Sequence, residues 1–222
     1  MDAVTQRTVR NLDRRLQGVY HAAAKEAGRK HRAAIERLIL FEKEIDTGMW
    51  DSLSPEQIRT FKENYIRRID IAEGISRSIA VDLARSGETA ARMMQNESLN
   101  IFEMNYRAGV RGIEEQLPGS VQMQQRWAMY DRNKLQALLV EGAPGVGKSP
   151  FTQIAYGNLH NEKAVRRMNM RLQNMFAESI LGGDATFQTL TQKIKVVAKF
   201  ELSRCRTIAR TEGARLQNQG GF

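Results

Sequence analysis

Apolar residues recur every three or four positions along most of this 222-residue sequence. One such segment spans Val4 to Ile45, and a second follows the break at TGMWDSLSPEQ and reaches the neighbourhood of Gly87. This spacing places the apolar side chains along one side of an α-helix. Only 4 residues are proline, and no run alternates apolar and polar residues over the length of a strand. The sequence therefore predicts a mainly α protein, an elongated multi-helix scaffold with a compact C-terminal helical region.

Capping and breaking signals predict where the individual helices begin and end. Ser54 and Gln57 form a capping box that starts the second long helix, which ends near Gly87. The remaining helices are predicted at about 88–115, at 121–140, at 161–181 before Gly182-Gly183, from Asp184 or Thr186 onward, and from a cap at Ser203 to about Asn218. These elements suggest three regions: an N-terminal scaffold of long helices (1–118), a connecting helix with a glycine-rich loop (119–160), and a basic C-terminal helical region (161–222).

Several classes of protein are disfavoured by what the sequence contains. No apolar run approaches the roughly 20 residues of a membrane span, and the polar start lacks the apolar core of a signal peptide. The single Cys205 cannot form an internal disulfide, which fits synthesis in a reducing cytoplasm. The histidines lie far apart and have no cysteine partners at zinc-ligand spacing. With no evident catalytic triad or carboxylate pair either, the sequence predicts a protein that is not an enzyme and holds no cofactor or metal.

The positive charge of the chain is concentrated in its last third. The formal net charge is +9. Residues 1–150 carry 23 Lys and Arg against 20 Asp and Glu, whereas residues 151–222 carry 11 against 5. A concentrated basic surface attracts a polyanion such as nucleic acid, or an acidic protein face. A well-solvated basic surface without a fixed partner remains the alternative.

The octet GAPGVGKS, residues 142–149, matches the P-loop pattern. In a P-loop the glycine N–H groups cradle phosphates, the lysine reaches the β- and γ-phosphates, and the serine ligates magnesium; the corresponding residues are Gly142, Gly147, Lys148 and Ser149. The surroundings argue against a nucleotide site, because Pro150 follows at once and no neighbouring strands of a parallel sheet are visible. We therefore expect a flexible glycine turn and keep a P-loop ATPase as the alternative function.

The C-terminal third, VRRMNMRLQNMFAESILGGDATFQTLTQKIKVVAKFELSRCRTIARTEGARLQNQG, resembles the phage head morphogenesis family. These are minor head or minor capsid proteins, including the Mu F-like proteins. The resemblance rests on the order of ILGG, DATFQTLTQKI and SRCRTIARTEGARLQNQG over about 75 residues. Its most recognisable residues are Ala209, Arg210, Thr211 and Glu212, with Asn218 downstream. SPFTQIAYGNL, after the octet, also resembles a family segment that does not bind nucleotides.

The resemblance implies a virion structural protein, the minor head protein of a tailed phage. Such a protein would contact portal, capsid and scaffold proteins, would act in head assembly and in DNA packaging or ejection, and could oligomerise. It would be found in the host cytoplasm during assembly and then in the capsid interior or at the portal vertex. The charge agrees with this reading, because basic residues neutralise phosphates without reading bases: Lys193, Lys195, Lys199, Arg204, Arg206 and Arg210. A helical DNA-binding accessory protein without a capsid role is a third possibility.

Helical spacing also predicts how the ARTE segment, residues 209–212, is used. Arg206 and Arg210 share one helix face, as do Thr211 and Arg215. Glu212 is expected to reach neither Arg206 nor Arg215 and to pair with another helix. A buried polar network that fixes helix packing is favoured over direct ligand contact. Nearby methionines are expected to be adaptable core residues: Met168, Met170 and Met175.

Overall fold

The computed structural model describes residues 3–40, 53–116 and 156–220, apart from the side chains at 40, 61, 62, 64, 65, 110, 114 and 218–220. Five helices account for nearly all of these residues: α1 (Ala3–Lys30), α2 (Arg32–Leu40), α3 (Pro55–Glu114), α4 (Glu162–Leu181) and α5 (Phe187–Gly220). No strand occurs within these ranges. The prediction of a mainly α fold is confirmed.

α3 is a single helix of 60 residues, so the predicted boundary near Gly87 is wrong. Gly87 lies inside α3 and is buried. A glycine within a helix costs about 1 kcal/mol relative to alanine, and tertiary packing readily outweighs that preference. The capping box that begins α3 is confirmed: the Ser54 N–H donates to Gln57 Oε1 at 2.8 Å, and the Gln57 N–H donates to Ser54 Oγ at 3.3 Å.

The first helical segment is interrupted at His31, which separates α1 from α2. The uninterrupted helix predicted from Val4 to Ile45 is therefore wrong at this point. The imidazole Nε2 of His31 lies 2.8 Å from Asp82 Oδ2 on α3, and Lys30 Nζ donates to both oxygens of the same carboxylate at 2.8 and 2.9 Å. These contacts fix the junction of α1 and α2 against α3.

α4 and α5 are joined by the short connection at 182–186. Asn161 caps α4, its Oδ1 accepting from the Ala164 N–H at 3.0 Å. Gly183 has a φ of 69°, the left-handed conformation that glycine adopts without strain. Thr186 caps α5, its Oγ1 accepting from the Thr189 N–H at 3.1 Å. These boundaries are as predicted, but the separate helix expected from Ser203 is not present, because α5 continues through that residue to Gly220.

The chain forms two compact units, each assembled from separated stretches of sequence. Unit 1 comprises Met1–Gly18, Glu88–Leu159 and Leu202–Phe222; unit 2 comprises Val19–Gly87 and His160–Glu201. Helices α1, α3 and α5 each contribute residues to both units. The three-region division made from the sequence stays a prediction.

Each unit has its own buried apolar side chains. In unit 1, Val9, Leu99, Ile101 and Leu216 form a cluster against which Phe102 and Met104 pack. In unit 2 the largest fully buried side chains come from all five helices: Tyr20, Ile35, Leu38, Ile79, Leu83, Met168, Leu172, Phe176 and Leu190. Burying each such side chain stabilises the fold by about 1.5–3 kcal/mol.

Candidate functional site

In unit 2 the residues predicted to contact DNA are three lysines of α5. Lys195 and Lys199 are four residues apart, so they lie on the same side of the helix, and both are exposed. Lys193 is half-buried and lines a groove of about 570 Å³ between α4 and α5. Within the described ranges none of the three lysines has a carboxylate at ion-pair distance. None of these three positive charges is therefore neutralised by an ion pair within the described ranges.

In unit 1 the corresponding residues are three arginines of α5. Arg204 and Arg210 are exposed, and neither forms an ion pair with a described residue. Arg206 instead forms a paired contact with Asp13 of α1: its Nε donates to Oδ1 at 2.5 Å and its Nη2 donates to Oδ2 at 3.2 Å. Since this carboxylate neutralises Arg206, we assign the uncompensated charge of this part of α5 to Arg204 and Arg210.

The structure describes the side chains of four of the five family-motif residues and separates them into two groups. Ala209 and Glu212 are buried, whereas Arg210 and Thr211 are exposed. The Thr211 hydroxyl donates to the Thr207 carbonyl of its own helix at 2.9 Å. The side chain of Asn218 lies outside the described set. The motif thus has one face that packs and one that is open to solvent.

Glu212 is paired within its own helix, contrary to the expectation from the sequence. The guanidinium of Arg215 donates to Glu212 Oε2 from Nε at 3.1 Å and from Nη2 at 2.8 Å. Both side chains are largely buried: that of Glu212 is 3% exposed and that of Arg215 is 25% exposed. Residues three apart on a helix are neighbours, so this contact was within reach. Because the pair lies within α5, it does not test whether the motif fixes helix packing, and that role stays a prediction.

Tyr156 lies in the same unit, and sequence analysis did not single it out. Its hydroxyl is 3.2 Å from Ser98 Oγ, which donates to the Met94 carbonyl at 2.8 Å. The pKa of Tyr156 is raised to about 12, chiefly by burial. The hydrogen bond with Ser98 lowers this pKa, and the negative charge of Glu212 raises it. The phenol therefore stays neutral at physiological pH and acts as a buried polar contact.

The exposed side of α1 in unit 1 carries three further arginines that sequence analysis missed. Arg7, Arg10 and Arg14 follow one another at steps of three and four, so they form one stripe along the helix. All three are exposed, and the described residues supply no ion-pair partner for any of them. The signal was present in the N-terminal sequence, but averaging the charge over residues 1–150 concealed it.

A second groove, of about 610 Å³, lies between α1 and α3 in unit 1. Its charged side chains compensate one another, because Arg15 pairs with Glu97 at 2.5 Å and Arg107 with Glu103 at 2.5 Å. It therefore lacks the uncompensated positive charge found on α5.

Met168, Met170 and Met175 differ in how far their side chains are exposed. Met168 is 1% exposed, as expected for a core residue, and Met175 is half-buried. Met170 is 57% exposed, so its assignment to the core is wrong.

The P-loop octet, with Gly142, Gly147, Lys148 and Ser149, lies outside the described residues, as does the helix predicted at 121–140. In the ranges that the structure does describe, no cluster of His, Cys, Asp and Glu could hold a metal ion. Nor does any helix there have the length and apolar character needed to cross a membrane.

Comparison with known proteins adds no relative. No family model matches the chain, and neither a curated protein nor a solved structure shows significant similarity to it.

Proposed function

We propose that this chain is a minor head protein of a tailed phage, a structural component that contacts portal and capsid proteins and binds DNA without sequence preference. Two features support the proposal: the ordered resemblance of the C-terminal third to head morphogenesis proteins, and the mainly α fold. The observation that carries the DNA-binding part is the set of exposed α5 cations without ion-pair partners among the described residues: Lys195, Lys199, Arg204 and Arg210.

These cations suit contact with the phosphate backbone. They are exposed Lys and Arg side chains on a helix surface, and such contacts with phosphates carry no sequence information, so we expect affinity without sequence preference. Each phosphate neutralised contributes about −0.9 to the slope of log K against log salt. Two phosphate contacts by the α5 cations of either unit therefore predict a slope of about −2, and in unit 1 contributions from Arg7, Arg10 and Arg14 would make it steeper.

Fluorescence anisotropy with a labelled random-sequence duplex of 30 base pairs, measured over a range of NaCl concentrations, tests this part. The double variant Arg204→Gln/Arg210→Gln should bind more weakly and reduce the salt slope by about 2. The matched control is Arg59→Gln/Arg92→Gln, which also removes two exposed arginines, but from ion pairs with Glu63 and Glu88. No binding at low ionic strength, or equal effects of the two double variants, would refute the DNA role.

The reading frames that flank the gene test the virion part. A minor head protein predicts a portal gene upstream and a scaffold or major capsid gene downstream. Genes of unrelated cellular processes on both sides would instead favour an accessory DNA-binding protein.

A P-loop ATPase is the alternative, and the octet at 142–149 is the observation that favours it. A working P-loop needs neighbouring parallel strands, and the described part of the chain supplies none. Equilibrium binding of labelled ATP with magnesium separates the two functions. Tight binding that Lys148→Ala abolishes would establish the ATPase; we expect no such binding.

A further inference from the structure

A half-exposed aromatic ring lies on α5 in unit 2. Phe200 is 45% exposed, and it is the only aromatic among the large hydrophobic side chains that the described ranges expose. The guanidinium carbon of Arg171, on α4, lies 4.4 Å from the centre of the ring. This is a cation–π contact, and it presents two stacked planar groups at the surface of the unit.

The pair continues the groove between α4 and α5. Val196 lines the groove four residues before Phe200, and Met175 lines it four residues after Arg171. Residues four apart share a helix face, so the ring and the guanidinium lie one turn beyond the groove, on the faces that form it. From Thr189 to Phe200 this surface extends about 16 Å along α5, the length of about five stacked nucleotides.

The other lining residues are suited to a polar, negatively charged chain. The amides of Gln188 and Gln192 offer donors and acceptors, and Lys193 supplies a positive charge. Glu178 is the one carboxylate that lines this groove, and it lies seven residues, or about 10 Å, along α4 from Arg171. Arg171 and Lys193 together outweigh this single negative charge.

We propose that this surface, the groove with Phe200 and Arg171 at one end, binds a short stretch of single-stranded nucleic acid. An unpaired base stacks on the ring or on the guanidinium, Lys193 contacts a phosphate, and the glutamine amides meet base edges. Stacking on aromatic side chains beside a cationic groove is how proteins bind single strands without strong sequence preference. The proposal extends the nucleic-acid contact of the proposed function, but paired and stacked duplex bases cannot use the ring.

The test is fluorescence anisotropy of the full chain with labelled dT12 and rU12, and with the 30-base-pair duplex as a parallel probe. Phe200→Leu keeps an apolar side chain and removes the ring, so dT12 binding should weaken about tenfold, within the range measured for loss of one stacked base. Phe200→Tyr keeps the ring and should bind as the parent does. Ile66→Ala is the matched control, because it removes a 59% exposed apolar side chain from α3, a helix that supplies none of the residues lining this groove.

The outcomes separate this proposal from the proposed function. Unchanged dT12 binding in Phe200→Leu, equal weakening by Ile66→Ala, or no dT12 binding by the parent would overturn the single-strand site. Duplex binding should be the same in the parent and in Phe200→Leu. If the duplex fails to bind while dT12 binds in a Phe200-dependent way, the duplex role is refuted and the single-strand site stands. Comparable rU12 binding would show that the site does not distinguish RNA from DNA.

Discussion

The ion pair between Arg167 of α4 and Glu201 of α5 gives the sharpest test of the structure of unit 2. Arg167 donates to Glu201 from Nε at 3.0 Å and from Nη2 at 2.6 Å, and the Glu201 side chain is only 1% exposed. Arg167→Met removes both hydrogen bonds and leaves a carboxylate buried without them. Breaking a buried pair in this way costs about 3–5 kcal/mol. We expect the free energy of unfolding to fall by that amount.

The double variant Arg167→Met/Glu201→Leu should recover most of this loss. Replacing both members of a buried pair by apolar side chains of similar size is often neutral or stabilising. Urea unfolding followed by circular dichroism at 222 nm gives the three free energies. Arg59→Met is the control, because its partner Glu63 is 65% exposed and such surface pairs contribute about 0–1 kcal/mol. If Arg167→Met costs no more than Arg59→Met, the buried pair is not formed and the packing of α4 on α5 is wrong.

Two further predictions concern pH. Burial raises the pKa of Asp82, but the hydrogen bonds from Lys30 and His31 lower it more, so the net pKa lies below its usual range. The stabilisation by this carboxylate is therefore present above about pH 4 and is lost as the pH falls below that value. Urea unfolding at pH 7 should show that Asp82→Asn lowers the free energy of unfolding by about 1 kcal/mol. If the same difference between the parent and the variant persists at pH 3, this explanation is wrong. Because the pKa of Tyr156 is raised to about 12, the folded protein keeps this proton where the unfolded chain loses it, so stability should decline between about pH 10 and 12. Absorbance titration at 295 nm of the parent and Tyr156→Phe should assign to Tyr156 a component near pH 12, and a component near pH 10 would refute the buried placement.

Local signals in the sequence predicted local structure well. The capping box of Ser54 and Gln57 and the glycine turn at Gly182-Gly183 need only residues a few positions apart, and the structure contains both. The predicted breaks at Gly87 and Ser203 were wrong because weak local preferences yielded to packing within long helices. The break at His31 was missed because no proline marks it and its stabilising contact, Asp82, is 51 residues away.

The candidate site was predicted in part for the same reason. A charge count identified the basic last third, and the structure leaves four of its six named cations exposed and without ion-pair partners among the described residues. A charge count could not reveal that Arg206 pairs with Asp13, 193 residues away. Nor could it place Phe200 beneath Arg171, since that contact depends on how α4 and α5 pack.

The most direct test of the proposed minor head role is whether this chain is present in purified particles of a phage whose genome encodes it. Quantitative mass spectrometry of procapsids and of DNA-filled heads, each separated from soluble lysate on a density gradient, measures the copies of this chain per particle. We expect a constant copy number in both kinds of particle. Confinement of the chain to the soluble fraction, with neither particle containing it, would contradict a minor head protein.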